Sequence, residues 1–278
     1  MTTDDAARGV RGDPGGSPPL GNRVRVRRAT GLTVAVVLLV LGLTGCTNNA
    51  FTRLGFPHPI TEQGKTTLTI WQGSWIAAFG VAALVWGLIL WAVIFHRKRG
   101  DKLPPQARYN MPIEIMYTVV PFVMIAVLFY FTAKDENYLN KLSNKPDVVV
   151  NVLGFQWSWQ FNYPQYHVTN IGDMYGEGPL PVLEIPTGET VRFNLTSEDV
   201  VHAFWIPEFL FKRDVIPGHP NHFEVKLTQT GTFTGHCSEL CGLWHSKMLF
   251  TVKVVSPQQF RADMAAEQAA QQASGSTQ

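Results

Sequence analysis

Cysteine is scarce in this chain. Only Cys46, Cys237 and Cys241 occur among 278 residues, too few and too unevenly spaced for the disulfide framework that staples small secreted domains. No Cys-x-x-Cys-His run occurs either, which excludes covalent attachment of a c-type haem. Charge of one sign is also lacking: 23 Lys and Arg stand against 21 Asp and Glu, a formal net of +2. The balance conceals a separation. Residues 1–45 carry six Arg and three Asp, whereas residues 134–255 carry nine Lys and Arg against thirteen Asp and Glu. An acidic surface suits a basic protein partner, although ordinary solvation accounts for the same numbers.

Two long stretches lack charge altogether. Thr66 to Phe95 is thirty residues without one, with Trp71, Trp75, Trp86 and Trp91 along it, and this predicts a transmembrane helix. Ile115 to Ala133 adds nineteen apolar residues, about 28 Å of helix, entered after Pro112 and interrupted only by Pro121. Between them Arg97, Lys98, Arg99, Lys102 and Arg108 face only Asp101, which places this loop in the cytoplasm.

The amino-terminal region reads as an export signal. Residues 1–22 are polar and rich in Gly, Pro and Asp, with nothing to bury. Arg23, Arg25, Arg27 and Arg28 then precede a thirteen-residue apolar run, Gly31 to Leu43, too short to span a bilayer. The run ends in Leu43-Thr44-Gly45-Cys46, which resembles the lipobox of bacterial lipoproteins and implies diacylation of Cys46 after cleavage. A plain signal peptide with an incidental cysteine is the alternative.

From Asp147 the texture changes to short β-branched and aromatic runs, such as Val148-Val149-Val150 and Leu249-Phe250-Thr251-Val252, separated by Gly, Pro, Asn and Asp. That spacing predicts an all-β sandwich or barrel, with a longer Gly-rich hairpin near 171–181. The expected organisation is a cleaved signal over 1–45, an extracytoplasmic segment over 46–65, spans over 66–96 and 112–134 around a cytoplasmic loop at 97–111, a β-domain over 145–255, and a Gln- and Ala-rich tail over 256–278 with a short surface helix.

Within that β-domain, Cys237, Glu239, Cys241, His245 and Met248 crowd into twelve residues, and His202 stands thirty-five residues before Cys237. Thiolate, imidazole and thioether together select a soft, redox-active ion, and copper suits the set better than zinc, which rarely takes Met. Two cysteines can bridge two ions, each keeping one imidazole, from His202 and His245; the weak axial positions then fall to Met248 and to an oxygen near Glu239. A disulfide between Cys237 and Cys241, a zinc ion on two Cys and two His, and a mononuclear blue-copper site remain alternatives. His219, His222 and His236 receive no role.

The run Cys237-Ser238-Glu239-Leu240-Cys241-Gly242-Leu243-Trp244-His245-Ser246-Lys247-Met248, together with His202, resembles the CuA motif of cytochrome c oxidase subunit II. The order of the remaining landmarks fits that family too: two spans, then Gln156-Trp157-Ser158-Trp159, then 199–209, then Asp214-Val215-Ile216-Pro217-Gly218. The likeness extends from about residue 65 to 255, and is to the lipoprotein type found in actinobacterial aa3 oxidases.

The resemblance implies a two-helix hairpin bearing a cupredoxin-like Greek-key barrel in the bacterial cell membrane. It implies dinuclear copper on His202, Cys237, the Glu239 carbonyl, Cys241, His245 and Met248, and a magnesium ion shared between the Glu239 carboxylate and subunit I. Trp157 would receive electrons from cytochrome c, or from the c-type cytochrome of a bc complex. They would pass to haem a of subunit I, which also holds haem a3 and CuB, with subunit III alongside. Glu114 would open a proton path into subunit I. This chain would hold no haem and bind no nucleic acid. The family usually has an aromatic where Ser158 stands, so the docking surface is expected to differ; near Glu114 it commonly has Trp where Tyr117 stands. A quinol-oxidase subunit would lack the copper ligands, a copper-trafficking lipoprotein would not need Trp157 or Glu114, and a nitrous-oxide-reducing enzyme would need a second metal domain.

Overall fold

The computed structural model describes residues 50–98, 100, 106–173, 175 and 178–275. Cys46 and the export signal lie outside them.

Helix α1 spans Glu62–Phe95 and helix α2 spans Met111–Leu139. Thr61 begins α1 by accepting the Gly64 N–H on its hydroxyl at 2.8 Å, the usual way to satisfy one of the orphan donors of a first turn. Asn110 does the same for α2 by accepting the Ile113 N–H. Glu114, four residues on, reaches back to accept the Asn110 N–H at 3.0 Å. Both helices are long and apolar enough to cross a membrane, and neither hydrophobic stretch is buried within the chain. Helix α2 continues past the apolar run to Leu139 because Ala133 to Tyr138 contain no breaker, and it stops at Asn140.

Ten strands follow: β1 Val148–Phe155, β2 Ser158–Tyr163, β3 Val168–Ile171, β4 Val182–Pro186, β5 Thr190–Ser197, β6 His202–Ile206, β7 Phe211–Val215, β8 Asn221–Lys226, β9 Gly231–Cys237 and β10 Leu249–Val255. They form two five-stranded sheets, in the orders β3-β2-β1-β5-β8 and β4-β10-β9-β6-β7. Pairing is antiparallel except between β1 and β5 and between β10 and β4, so the two sheets form the cupredoxin-like sandwich that the sequence leads one to expect.

Alternate residues of β1, β5 and β10 point inward, as the period of two requires. Trp159, Phe161, Phe193, Phe204, Phe223 and Phe250 meet between the sheets. Their rings pack closely: Phe204 stacks on Phe250 at 5.0 Å, and Trp159 meets Phe250 edge-on at 5.5 Å.

Two expectations need correction. Residues 171–181 do not close a hairpin, because β3 and β4 belong to different sheets. The connection crosses the sandwich, and the Asn170 side chain accepts the Val182 N–H at 2.8 Å where the chain passes over. The tail forms a helix of 19 residues, α3 Pro257–Gly275, which is docked rather than lying loose on the surface. Phe260 and Met264 are fully buried in the core, and Gln271 both donates to the Thr169 carbonyl and accepts the Thr169 N–H. The helix thereby covers β3, an edge strand.

The segment before α1 fastens the hairpin to the sandwich. Ile60 is fully buried; its N–H donates to the Glu208 carbonyl, and its own carbonyl accepts from Thr228. Gly64 sits so close to the short 3-10 turn at Pro207–Phe209 that a Cβ there would lie 2.6 Å from the Phe209 carbonyl oxygen. Only glycine permits that approach.

Candidate metal centre

The ligand loop runs from the end of β9 to the start of β10. Antiparallel pairing of these strands puts His236 opposite Leu249, and the Cys237 N–H donates to the Met248 carbonyl at 3.0 Å. The first and last residues of the loop are thus held together at its neck. His202 opens β6, which pairs with β9 so that Phe204 faces Cys237. The two sheet neighbours therefore bring a residue thirty-five positions away beside the loop. Trp159 supports it from beneath, its indole N–H directed at the Met248 carbonyl at 3.4 Å.

The donor atoms converge. The two Sγ atoms lie 3.7 Å apart, with both cysteines free and buried. On the Cys237 side, His202 Nδ1 stands 3.8 Å and the Glu239 carbonyl oxygen 3.3 Å from Sγ. On the Cys241 side, His245 Nδ1 stands 3.4 Å and Met248 Sδ 3.8 Å from Sγ. Metal–sulfur bonds of about 2.3 Å and metal–nitrogen bonds of about 2.0 Å set the edges of a coordination tetrahedron at roughly 3.5–3.8 Å. The donor set fits metal on this measure. His202, Cys237 and Cys241 all have their ligand atoms within 4.8 Å of one another, and His245 falls outside that group. The six donors do not collapse onto one point.

Hydrogen bonding orients the ligands. Asp199 Oδ1 lies 2.9 Å from His202 Nε2; a hydrogen on Nε2 leaves Nδ1 bare toward Cys237, the arrangement that a ligating histidine needs. Burial disfavours the His202 cation, yet Cys237 and Asp199 on either side more than offset it and raise the group above its ordinary value. Asp199 is held below the usual carboxylate range, because bonds from His202, Val200 and Gln156 outweigh its partial burial.

The two thiols are pushed apart. Burial works against the Cys237 thiolate, but His202 and the backbone of Ala203 and Glu239 bring it down to about 7. Cys241 is pushed up to about 12, by burial first and then by the charge of Cys237. A cation bound between them would displace their protons.

The remaining singled-out residues fall as follows. Trp157 is half-buried, and its indole N–H donates to the Cys241 carbonyl at 3.2 Å. The Glu239 side chain is exposed. Ser158 is buried, 2% exposed, beneath Gly172, so the missing aromatic does not alter the surface by its own exposure. Glu114 lies remote from the loop, at the start of α2. His236 packs against Trp205 and His222 bonds to Asn194, both away from the donors. Two residues that the sequence reading passed over emerge here, Asp199 and Gln156; an aspartate three positions before a ligand histidine was the available signal for the first.

Fold and site together define a two-helix hairpin carrying a β-sandwich with a sulfur-rich loop built for metal. The family described as cytochrome C oxidase subunit II, periplasmic domain, is matched by residues 179–255. A probable cytochrome c oxidase subunit 2 of Streptomyces avermitilis is 49% identical over 89% of this chain and 89% of its own length. Cytochrome c oxidase subunit 2 of Mycobacterium tuberculosis is 36% identical over 87% and 82% respectively. Among solved structures, the periplasmic domain of subunit II of cytochrome oxidase from Bradyrhizobium japonicum aligns at 30% identity and TM-score 0.43, over 46% of this chain and 99% of that one. The chain belongs to the cytochrome c oxidase subunit 2 family, and so is one subunit of an oxidoreductase.

Proposed function

We propose that this chain is the electron-entry subunit of a respiratory oxidase, taking single electrons from a c-type cytochrome at a dinuclear copper centre and passing them to haem a of subunit I. One observation carries the reading: two sulfurs 3.7 Å apart, each with its own imidazole and its own weak donor, His202 and the Glu239 carbonyl for Cys237, His245 and Met248 for Cys241. A single tetrahedral zinc would draw both histidines to one point, and a blue-copper ion would leave one thiol idle. Copper held by these residues would supply one-electron redox chemistry.

The chain's own residues do the rest. The neck bond between Cys237 and Met248 and the rigid aromatic floor keep the donors in place in either oxidation state, which lowers the cost of reorganisation. The closed ring of protein donors admits no substrate, so the oxygen chemistry and proton pumping fall to subunit I, with haem a3 and CuB. Trp157, bonded to the carbonyl of a ligand cysteine, is the residue through which an electron arrives. This contact favours an electron relay over a copper-trafficking lipoprotein, which would need no such aromatic. The Glu239 carboxylate, exposed beside the loop, would hold a magnesium ion shared with subunit I. Acylation of Cys46, an extracytoplasmic copper domain and a proton-path entrance at Glu114 complete the reading, with subunit III as a further neighbour.

Electron paramagnetic resonance with copper quantification on the purified oxidase tests it. Two coppers assigned to this chain and sharing one unpaired spin are expected; one isolated cupric signal, or zinc in the loop, would sink the proposal. Mass spectrometry of the mature amino terminus decides the acylation of Cys46.

A further inference from the structure

Gln156 lies in the turn between β1 and β2, beside the entry tryptophan, and two hydrogen bonds tie it to the ligand loop and to Asp199. Its side-chain Nε2 donates to the Cys241 carbonyl at 2.7 Å, the same oxygen that receives the Trp157 indole N–H at 3.2 Å. Its backbone N–H donates to Asp199 Oδ2 at 2.7 Å, while Asp199 Oδ1 lies 2.9 Å from His202 Nε2. The path from Cys241 to His202 thus closes through Gln156 and Asp199 without passing through the donor atoms themselves.

The space around this residue is equally constrained. Gly242, the residue after Cys241, has φ +125°, and a Cβ placed on it would lie 3.1 Å from Trp157 Cζ2 and Nε1 and 3.2 Å from Gln156 Nε2. The indole and the amide therefore rest directly on the backbone of the ligand loop. On its other side Trp157 meets the Tyr175 ring, centroids 5.9 Å apart. An indole at a surface, held by one hydrogen bond of 3.2 Å, would be free to rock; the shorter amide bond beside it fixes the loop carbonyl to which it is tied.

We propose that Gln156 is the positioning residue for electron entry: by holding the Cys241 carbonyl with its amide and Asp199 with its backbone, it locks Trp157, Cys241 and His202 into one hydrogen-bonded unit. This rests on the reading of Trp157 as the entry residue. Gln156 offers no atom to the donor set and acts through Trp157 and the Cys241 carbonyl. Because the unit is made wholly of protein groups, it exists before metal arrives.

The test uses Gln156→Met, which keeps length and removes the donor, and Gln156→Glu, whose carboxylate faces the carbonyl without a hydrogen to give. In the metal-free full-length chain in lipid nanodiscs, labelled with nitrogen-15 tryptophan, the Trp157 indole N–H should exchange with solvent about 10-fold faster in Gln156→Met, the scale set by losing one buried hydrogen bond, and faster still in Gln156→Glu. In the assembled oxidase, electron arrival at copper from reduced cytochrome c should slow by about 10-fold, with copper content and the copper-to-haem step as in the native enzyme. Native exchange of the indole in both variants overturns the proposal, whether or not they load copper. So does native electron arrival in both. Trp157→Phe separates the two readings: if it leaves electron arrival unchanged, the entry role of Trp157 fails; if it slows arrival while the Gln156 variants do not, only the positioning role of Gln156 fails.

Discussion

The β-sandwich and the helical hairpin use the same apolar side chains in opposite ways. Phe204, Phe223 and Phe250 are each at most 1% exposed, whereas Phe122 and Phe129 of α2 stand 71% and 72% exposed. The sandwich is complete within the chain, since its sheets cover each other and α3 covers an edge. The hairpin is not, and in water its surface would be an aggregation hazard; lipid or neighbouring helices must supply what the chain does not. The ligand loop combines both habits, with Cys237, Cys241 and Met248 buried while Leu240 and Leu243 are 80% and 79% exposed. Stability is thus an internal property of one region and a borrowed property of the other, and the working loop sits where the self-sufficient region turns outward.

The largest effect that sharpens this contrast is expected from Cys241→Ser. It should abolish copper binding, measured by metal analysis, yet leave the unfolding of the metal-free sandwich near its native midpoint, because serine nearly keeps the size of the side chain and leaves the aromatic core untouched. Next is Phe204→Ala, which should cost the sandwich about 3–5 kcal/mol in denaturant unfolding, while Phe129→Ala should change it by no more than about 0.5 kcal/mol. Equal effects would break the comparison.

A smaller, pH-dependent effect is expected at Glu184. Burial, opposed by the Lys253 ammonium at 2.9 Å and reinforced by Asp263, raises this carboxyl to about 7. The folded state therefore keeps its proton where the unfolded chain has lost it, so this contribution is full below about 4.5 and falls as pH rises to about 7. Thermal melts of Glu184→Gln should show a flatter pH profile over that window, with a gain over the native chain at pH ~8. An unchanged slope would remove Glu184 as the cause. The smallest effect belongs to Gln271→Ala, expected to cost about 1 kcal/mol and to speed amide exchange at Thr169.

What could be read from the sequence follows from how local each signal is. Thirty uncharged residues need no partner to declare a span, and five donors within twelve residues declare a metal loop wherever it folds. Gln156 and Asp199 could not be read in this way, because their meaning lies in contacts with Cys241 and His202 made across strands. The docking of α3 was hidden for a related reason: Phe260 and Met264 are a sparse stripe in an Ala- and Gln-rich run, and only the groove beside Tyr163 and Tyr166 gives that stripe a use. The crossing at 171–181 was obscured because glycine and proline mark a change of direction without saying which sheet the chain enters next.

The close seat of Gly64 against Phe209 bears on how steadily the sandwich is held over the hairpin. A ball joint at that neck would let the sandwich sway above the bilayer, and the gap to any acceptor below would vary with every swing. With Ile60 pinned by bonds on both sides and no side chain at position 64 to hold the surfaces apart, the joint is a weld. The seat of the sandwich on this side of the hairpin is consequently set by one short segment of backbone, and adding a single methyl group at residue 64 should be enough to displace it.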